Sequence, residues 1–285
     1  MEIIYIAGNG RSGSTILAML LGEGPSRFCA GELTFITRPG IFDEPCSCGA
    51  AIGRCATWQK IMASWEASRQ ISLAKFAELR HRFERNRSLP RLFLNALWPG
   101  RDFLEYVAAT QSLFDAIEDV TGATTIIDSS KSPVRILILR RFSKLSVIHL
   151  CRNFRGVANS FLRSSPKNIE RGLESDMKAI PLRRTLVSWV LNNLLTTLMS
   201  VGLRRCRLHF RKLVNGQFDD LADLGHEVSV SFDDTFSVDH MFAGNKLRLR
   251  VAKLDSARGF RYERLTASQL RFASLVDNAF WFWAK

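Results

Sequence analysis

A glycine-rich loop directly after an apolar run restricts the fold of this chain more than any other feature. Residues 3–7 read IIYIA, residues 8–15 read GNGRSGST, and an apolar helical pattern follows. A strand, a glycine loop and a helix in this order form the phosphate-binding unit of α/β proteins, whose backbone N–H groups and helix dipole hold an anion. The loop nearly fits G-x-x-x-x-G-K-[ST], but Ser14 stands at the lysine position and the nearest cation is Arg11. This difference weakens the case for ATP or GTP as the bound anion.

Further apolar runs alternate with helical patterns along the chain. The segments TTIIDSSKSP, residues 124–133, and LSVIHLCR, residues 145–152, are predicted strands that end in polar turns. This alternation predicts an α/β fold, with a single domain over residues 1–285 and a central, mostly parallel sheet flanked by helices. Residues 60–115 are predicted to be a helical insertion, and a helical segment is expected over residues 181–213.

The longest uncharged stretch runs from Thr185 to Leu203. Its polar residues recur every three or four positions, which predicts a buried helix with one polar face rather than a membrane span. Arginine pairs flank the stretch, so peripheral membrane contact stays open. Basic clusters at residues 80–87 and 204–212 are predicted to be helices with solvated basic faces, and a docking surface for an anionic acceptor is the alternative.

A second basic turn follows the strand of residues 145–151. Arg152 stands at the end of this strand, and Ser160 follows eight residues later in the next helical pattern. A guanidinium and a hydroxyl in this arrangement can hold a second phosphate. The sequence therefore predicts two anion sites at successive strand ends, where open α/β sheets bind their ligands.

These two motifs resemble those of the sulfotransferases that use 3′-phosphoadenosine 5′-phosphosulfate (PAPS). In that family an R-S-G-[ST]-T loop binds the 5′-phosphosulfate and an R-x-P-R-x-x-x-x-S segment binds the 3′-phosphate. The matching residues are Arg11, Ser12, Gly13, Ser14 and Thr15 for the loop, and Arg152 and Ser160 for the segment. Phe154 departs from the usual proline. The resemblance extends over residues 1 to about 250 and implies a P-loop-like sulfotransferase fold.

The resemblance also implies catalytic residues. The stretch RFCAGELTFI is similar to the tyrosylprotein branch of the family, in which a glutamate is the catalytic base, and Glu32 occupies the comparable place. Lys131 stands where related enzymes carry a lysine that contacts the bridging oxygen of the phosphosulfate. Lys131 and Arg11 would neutralise charge on the leaving group. A structural role is expected for Asp128 in the same turn.

A late segment, residues 239–250 with the sequence DHMFAGNKLRLR, resembles the family pattern H-x-x-x-G-N-x-x-R. In the family this segment closes over the nucleotide. The cofactor-binding residues implied here are Gly244, Asn245, Lys246 and Arg248. His240 is as compatible with a structural role as with a functional one.

Cys46, Cys48 and Cys55 lie close together in the sequence CSCGAAIGRC. Free structural thiols are the favoured interpretation. Zinc, with Cys29 or His81 as the fourth ligand, and a disulfide are the alternatives, since C-x-C with a third cysteine seven residues later is not a usual zinc spacing. The six cysteines of the chain, with no secretory signal, predict a reducing, cytoplasmic location.

The functional hypothesis is transfer of a sulfuryl group from PAPS to an acceptor hydroxyl, with no catalytic metal. The net charge of +13 favours an anionic partner, and no nucleic-acid motif is present. A carbohydrate or glycolipid acceptor is expected first, a protein tyrosine second and a small phenol or alcohol third. A small-molecule kinase using ATP and Mg²⁺, and a non-catalytic binder of anionic glycans or membranes, are the alternatives.

Overall fold

A five-stranded parallel sheet forms the centre of the computed structural model, which describes residues 1–85, 88–142, 144–162, 179–225, 235–256 and 262–284. In chain order its strands are β1 Glu2–Gly8, β2 Arg27–Gly31, β3 Thr125–Lys131, β4 Leu145–Cys151 and β5 Arg204–His209. They are hydrogen-bonded in the order β2-β3-β1-β4-β5, and every neighbouring pair is parallel. Two short strands, β6 Thr235–Phe236 and β7 Ala252–Lys253, form a separate antiparallel pair. The predicted α/β class with a central parallel sheet is confirmed.

Strand β1 is buried on both faces, as its unbroken apolar run predicts. Ile3 and Tyr5 face one hydrophobic core, and Ile4 and Ile6 face the other. Because β1 pairs with β3 on one side and with β4 on the other, the carboxyl ends of these three strands lie side by side. A crevice at this edge is where open α/β sheets bind their ligands.

Helices cover both faces of the sheet. In chain order the α-helices of the described residues are α1 Ser14–Gly22, α2 Ala56–Ser68, α3 Leu73–Phe83, α4 Leu89–Leu97, α5 Arg101–Thr121, α6 Ile136–Leu139, α7 Phe154–Phe161, α8 Leu182–Met199, α9 Phe210–Val214, α10 Asp219–Ala222, α11 Ala267–Ala279 and α12 Trp281–Ala284. The core on one face includes residues of α2 to α6, and the core on the other includes residues of α1 and α9. A third cluster around Trp189 joins α7, α8, α11 and α12.

The helices α2 to α5 occupy the chain between β2 and β3. Pro90 lies in the first turn of α4, where proline costs no helical hydrogen bond. Residues 80–83 of the first basic cluster end α3, whereas Asn86 and Arg87 lie outside the described residues. That this region is an insertion into a single domain stays a prediction.

The expected helix over residues 181–213 is wrong in its second half, because residues 204–209 form strand β5. Arg204, Arg205 and Arg207 are exposed along this strand, whereas Cys206 and Leu208 are buried. This alternation has the period of a strand, and exposed arginines on an edge strand oppose pairing with a second sheet. The second basic cluster is therefore an edge strand followed by α9, not a basic helical face.

Helix α8 buries most of its polar face, and Ser188 is the exposed member of that face. Thr185 and Thr196 are buried, and their hydroxyls donate to backbone carbonyl oxygens four residues earlier. Val187, Leu191 and Leu198 are exposed on the same helix. None of the helices in the described ranges has both the length and the apolar character that crossing a membrane requires.

Candidate active site

The glycine loop of residues 8–15 is held in a conformation that requires its glycines. Gly8 has φ 135°, and a Cβ there would lie 2.4 Å from the carbonyl oxygen of Leu150. Gly13 has φ 91°, and a Cβ there would lie 2.7 Å from the ring of Phe210. Arg11 is itself left-handed with φ 68°, a conformation that costs a residue with a Cβ about 1–2 kcal/mol. The loop backbone therefore passes close to β4 and α9 and turns into α1 as an anion cradle does.

The hydroxyls of this loop point inward at the start of α1. Ser12, Ser14 and Thr15 are all buried, and Ser14 occupies the place of the lysine in the usual pattern. Within the described part of the chain the Ser12 Oγ has no hydrogen-bond partner, and neither has the Nδ2 of the buried Asn9. Buried polar atoms of this kind call for an explanation, and a bound anion at a helix N-terminus would supply one.

The second turn begins at Arg152, directly after β4, and contacts the glycine loop. The Nη1 of Arg152 donates to the carbonyl oxygen of Arg11 at 2.7 Å, and the guanidinium lies 4.1 Å from the centre of the Phe210 ring. A Cβ on Gly156 would lie 2.6 Å from the Arg152 Nε, so this glycine makes room for the arginine across the start of α7. Burial lowers the pKa of Arg152 to about 10.

Helix α7 orders the rest of this second turn. The Asn153 side chain caps the helix by accepting from the Gly156 N–H at 3.1 Å. Phe154, at the position where the family pattern has proline, is fully buried and packs on Trp189 with ring centres 5.7 Å apart. It is the first residue of α7, where proline and other residues are both accepted. Ser160 lies in the last turn of α7 and is half-buried.

Glu32 and Lys131 form an ion pair at the ends of the adjacent strands β2 and β3. Their side chains are largely shielded, with relative exposures of 11% for Glu32 and 20% for Lys131. Lys131 is left-handed with φ 68°, so the backbone turns sharply at the strand end. The two predicted catalytic groups, 99 residues apart in sequence, are therefore direct neighbours.

A buried network holds the turn that carries Lys131. Asp128 accepts from the N–H of Ser130 at 2.9 Å and from the Nε of Arg135 at 3.0 Å. The Nη1 of Arg135 donates to Glu84 at 2.6 Å, and Tyr106 donates to the same carboxylate. All three charged side chains are almost inaccessible to solvent. The structural role expected for Asp128 fits this position.

The late segment lies over the glycine loop and beside Glu32. The N–H of Asn245 donates to the Thr15 Oγ1 at 3.3 Å, and the N–H of Glu32 donates to the carbonyl oxygen of Ala243 at 3.1 Å. Gly244 has φ 143°, and a Cβ there would lie 3.5 Å from the Glu32 Oε1. The structure thus brings this segment to two other parts of the predicted site, the glycine loop and Glu32.

The other two predicted cofactor-binding residues of this segment are Arg248 and Lys246. Arg248 is buried, and its guanidinium donates to the carbonyl oxygens of Gly244 at 2.6 Å and of Pro45 at 3.1 Å. These bonds hold the segment in place, so a direct contact of Arg248 with a nucleotide stays a prediction. Lys246 is half-buried, and its contact with a nucleotide likewise stays a prediction.

Cys46, Cys48 and Cys55 gather with His240, and not with either of the two residues considered as a fourth zinc ligand, Cys29 and His81. The ligand atoms of the four residues all lie within 4.8 Å of one another. All six cysteines of the chain are free. The distance in sequence, 185 residues between Cys55 and His240, explains why spacing alone did not find this group.

Sequence reasoning also missed residues that support the site. The Nδ2 of Asn192 on α8 donates to the Oδ1 of Asn9 in the glycine loop at 3.1 Å. Phe210 packs against both Gly13 and Arg152. The sequence signal for the Asn192 contact was the polar spacing on α8.

No protein-family model matches the chain, and neither does any curated protein sequence. Two solved structures that resemble it are sulfotransferase domains. One is from the Synechococcus PCC 7002 olefin synthase, with 14% identity and a TM-score of 0.46 over 97% of this chain and 94% of that domain. The other is from the curacin biosynthetic pathway, with 16% identity and a TM-score of 0.48 over 97% of each chain. Similarity at these identities and TM-scores does not assign an activity, so a functional assignment depends on the residues of the site.

Proposed function

We propose that this protein is a sulfotransferase that moves a sulfuryl group from PAPS to an acceptor hydroxyl. The observation that carries the proposal is the contact between the two anion-binding turns, in which the Arg152 Nη1 donates to the Arg11 carbonyl oxygen at 2.7 Å. Two basic turns on the adjacent strands β1 and β4 suit a donor with two separate anionic groups. A nucleoside triphosphate has one continuous phosphate chain, and the lysine that would bind it is replaced by Ser14.

The residues divide into two groups by the part of the donor that they would hold. The 5′-phosphosulfate would be bound by Arg11 and by the loop of Ser12, Gly13, Ser14 and Thr15. The hydroxyls of this loop are buried and lie, with its N–H groups, at the start of α1. The 3′-phosphate would be bound by Arg152 and Ser160. The late segment, through Gly244 and Asn245, would cover the donor, since it already contacts Thr15.

The chemistry is assigned to Glu32 and Lys131. The acceptor oxygen attacks sulfur, the bond from sulfur to the bridging oxygen breaks, and 3′,5′-adenosine bisphosphate leaves. Glu32 takes the hydroxyl proton as general base. Lys131, paired with Glu32 in the structure, would transfer its interaction to the bridging oxygen and stabilise the charge that develops there. No step of this scheme needs a metal ion.

A carbohydrate or glycolipid is proposed as the acceptor. The basic net charge and the exposed apolar residues of α8, Val187, Leu191 and Leu198, support an amphipathic acceptor. Helix α8 also contacts the glycine loop through Asn192, so its exposed face belongs to an element that adjoins the proposed donor site.

Calorimetric titration with 3′,5′-adenosine bisphosphate tests the donor site. We expect the wild-type protein to bind it and Arg152→Ala to bind it about 10- to 100-fold more weakly, because a charge-assisted hydrogen bond to phosphate contributes about 1.5–3 kcal/mol. Arg101→Ala, which removes an arginine whose side chain is 91% exposed on α5, is the matched control and should bind like the wild type.

The same titration with ATP and Mg²⁺ separates the alternatives. Binding of ATP without binding of the bisphosphate would favour a kinase and overturn the proposal. Binding of neither ligand by a protein with a normal melting temperature would favour a non-catalytic binder. Equal affinities of the wild type and Arg152→Ala would remove Arg152 from the donor site.

A further inference from the structure

We propose that Cys46, Cys48, Cys55 and His240 form a structural zinc site. The Sγ atoms of Cys48 and Cys55 lie 3.7 Å apart, and the Sγ of Cys55 lies 3.3 Å from the Nδ1 of His240. Tetrahedral zinc with bonds of about 2.3 Å to sulfur and about 2.0 Å to nitrogen sets ligand atoms about 3.5–3.8 Å apart. The observed separations, all within 4.8 Å, are close to this geometry.

The backbone of the cysteine loop, residues 45–55, is shaped to converge its thiols. The N–H of Cys46 donates to the carbonyl oxygen of Ala50 at 2.8 Å, and the N–H of Gly49 donates back to that of Cys46 at 3.0 Å. Gly49 has φ 89°, which allows the tight turn directly after Cys48. The loop thus reverses direction between its second and third cysteines, which keeps all three thiols close together.

His240 is held in a sparsely populated backbone conformation that presents its ring to this loop. Its φ is 62°, a value that costs a residue with a Cβ about 1–2 kcal/mol and that is found mostly where surrounding contacts impose it. Trp58 supplies one such contact by donating from Nε1 to the His240 carbonyl oxygen. The N–H of Met241 donates to the Ser47 Oγ at 2.8 Å, so α2 and the cysteine loop both hold the backbone at the histidine.

The donor set decides both the metal and its role. Three thiolates and one imidazole are the ligands that zinc prefers, and four protein ligands leave no open position for water or substrate. The site is therefore structural rather than catalytic. Its effect would be to join the cysteine loop to the late segment, whose Ala243 and Asn245 lie three and five residues after His240 and contact Glu32 and Thr15.

Metal analysis of the purified, reduced protein tests this site. We expect about one zinc per chain after expression with added zinc, and Co²⁺ titration of the metal-free protein should give the visible absorption of tetrahedral, thiolate-bound cobalt. Cys48→Ser and His240→Ala should each weaken the binding of Co²⁺ at least about tenfold. Cys48 is exposed, so its replacement leaves the buried core intact even if another ligand variant does not fold.

The controls come from the same chain. Cys29→Ala and His81→Ala remove the two other residues that the sequence suggested as ligands and should leave zinc content and the cobalt spectrum unchanged. Zinc well below one per chain in the wild type, together with the absence of a thiolate–cobalt spectrum, would overturn the proposal. A disulfide between Cys48 and Cys55 in protein isolated without reductant, which no metal treatment prevents, would overturn it as well. None of these outcomes depends on the proposed sulfuryl transfer.

Discussion

At the scale of single residues, backbone strain coincides with the candidate chemistry. Among the described residues other than glycine, those with positive φ are Arg11, Ser26, Lys131 and His240. Three of these four belong to the proposed donor site or to the proposed zinc site. Such conformations persist only where the surrounding structure imposes them, and they concentrate at functional positions. Strain therefore supports the same positions that the motifs selected.

Replacement of Glu32 by glutamine tests its role as the base. Glutamine is close to glutamate in size but cannot accept the hydroxyl proton, so we expect Glu32→Gln to lower kcat about 10²- to 10⁴-fold. The affinity for 3′,5′-adenosine bisphosphate, measured by calorimetry, should remain within a few-fold of the wild type. Glu32→Asp, which keeps a carboxylate on a shorter side chain, should retain more activity than Glu32→Gln. An unchanged kcat in Glu32→Gln would exclude Glu32 as the base.

At the scale of elements, the site is assembled from strand ends that only the sheet brings together. The turns after β1, β3 and β4 are neighbours because β1 lies between the other two strands. The turn after β3 also depends on the network of Asp128, Arg135 and Glu84 behind it. A buried charge in such a network depends on its partners, because an uncompensated charge in the interior is very unfavourable.

Removing the central cation of this network should destabilise the fold. Arg135→Met leaves the carboxylates of Asp128 and Glu84 buried without their common partner, so we expect the free energy of unfolding to fall by about 3–5 kcal/mol. Urea denaturation followed by circular dichroism measures this loss. Arg140→Met, at an exposed position after the same short helix α6, is the control and should change stability by less than about 0.5 kcal/mol. Similar effects of the two substitutions would contradict the interpretation.

At the scale of the whole molecule, stability depends on a histidine buried in the sheet. His149 lies on β4, is 4% exposed, and its Nε2 is 3.0 Å from the Oδ1 of Asn193 on α8. Burial lowers its pKa to about 4, although the hydrogen bond to Asn193 opposes this shift. The folded protein therefore holds the neutral imidazole, whereas the unfolded chain takes up a proton near the ordinary pKa of about 6.5.

This difference predicts how stability changes with pH. Above a pH of about 6.5, the neutral His149 contributes about 3 kcal/mol to the free energy of unfolding. This contribution is lost as the pH falls toward about 4. His149→Gln removes the titrating group, so its free energy of unfolding should improve relative to the wild type by that amount across this range. Urea denaturation at several pH values measures the difference. His81→Gln, at an exposed position on α3, is the control, and its free energy of unfolding should differ little from that of the wild type. If the free energy of unfolding of His149→Gln differed from that of the wild type by the same amount at every pH, the prediction would be contradicted.

The sequence by itself determined the features that depend on short stretches of chain. The order of strand, glycine loop and helix at residues 3–22, and the arginine after β4, were readable because left-handed glycines and apolar periodicity act over a few residues. The strands β2 and β5 were not predicted, since the first is short and the second carries three arginines that mask its alternation. A charged edge strand is stabilised by its neighbour in the sheet rather than by its own composition.

Only the tertiary structure decided which distant residues meet. The pairing of Glu32 with Lys131, and of Cys55 with His240, joins positions 99 and 185 residues apart. The inward polar face of α8 likewise follows from what it packs against, because its threonines satisfy their hydroxyls within the helix and can be buried. Local sequence patterns indicate which chemical groups a chain carries. Sheet order and packing set the distances between those groups, and these distances decide which of them can act together.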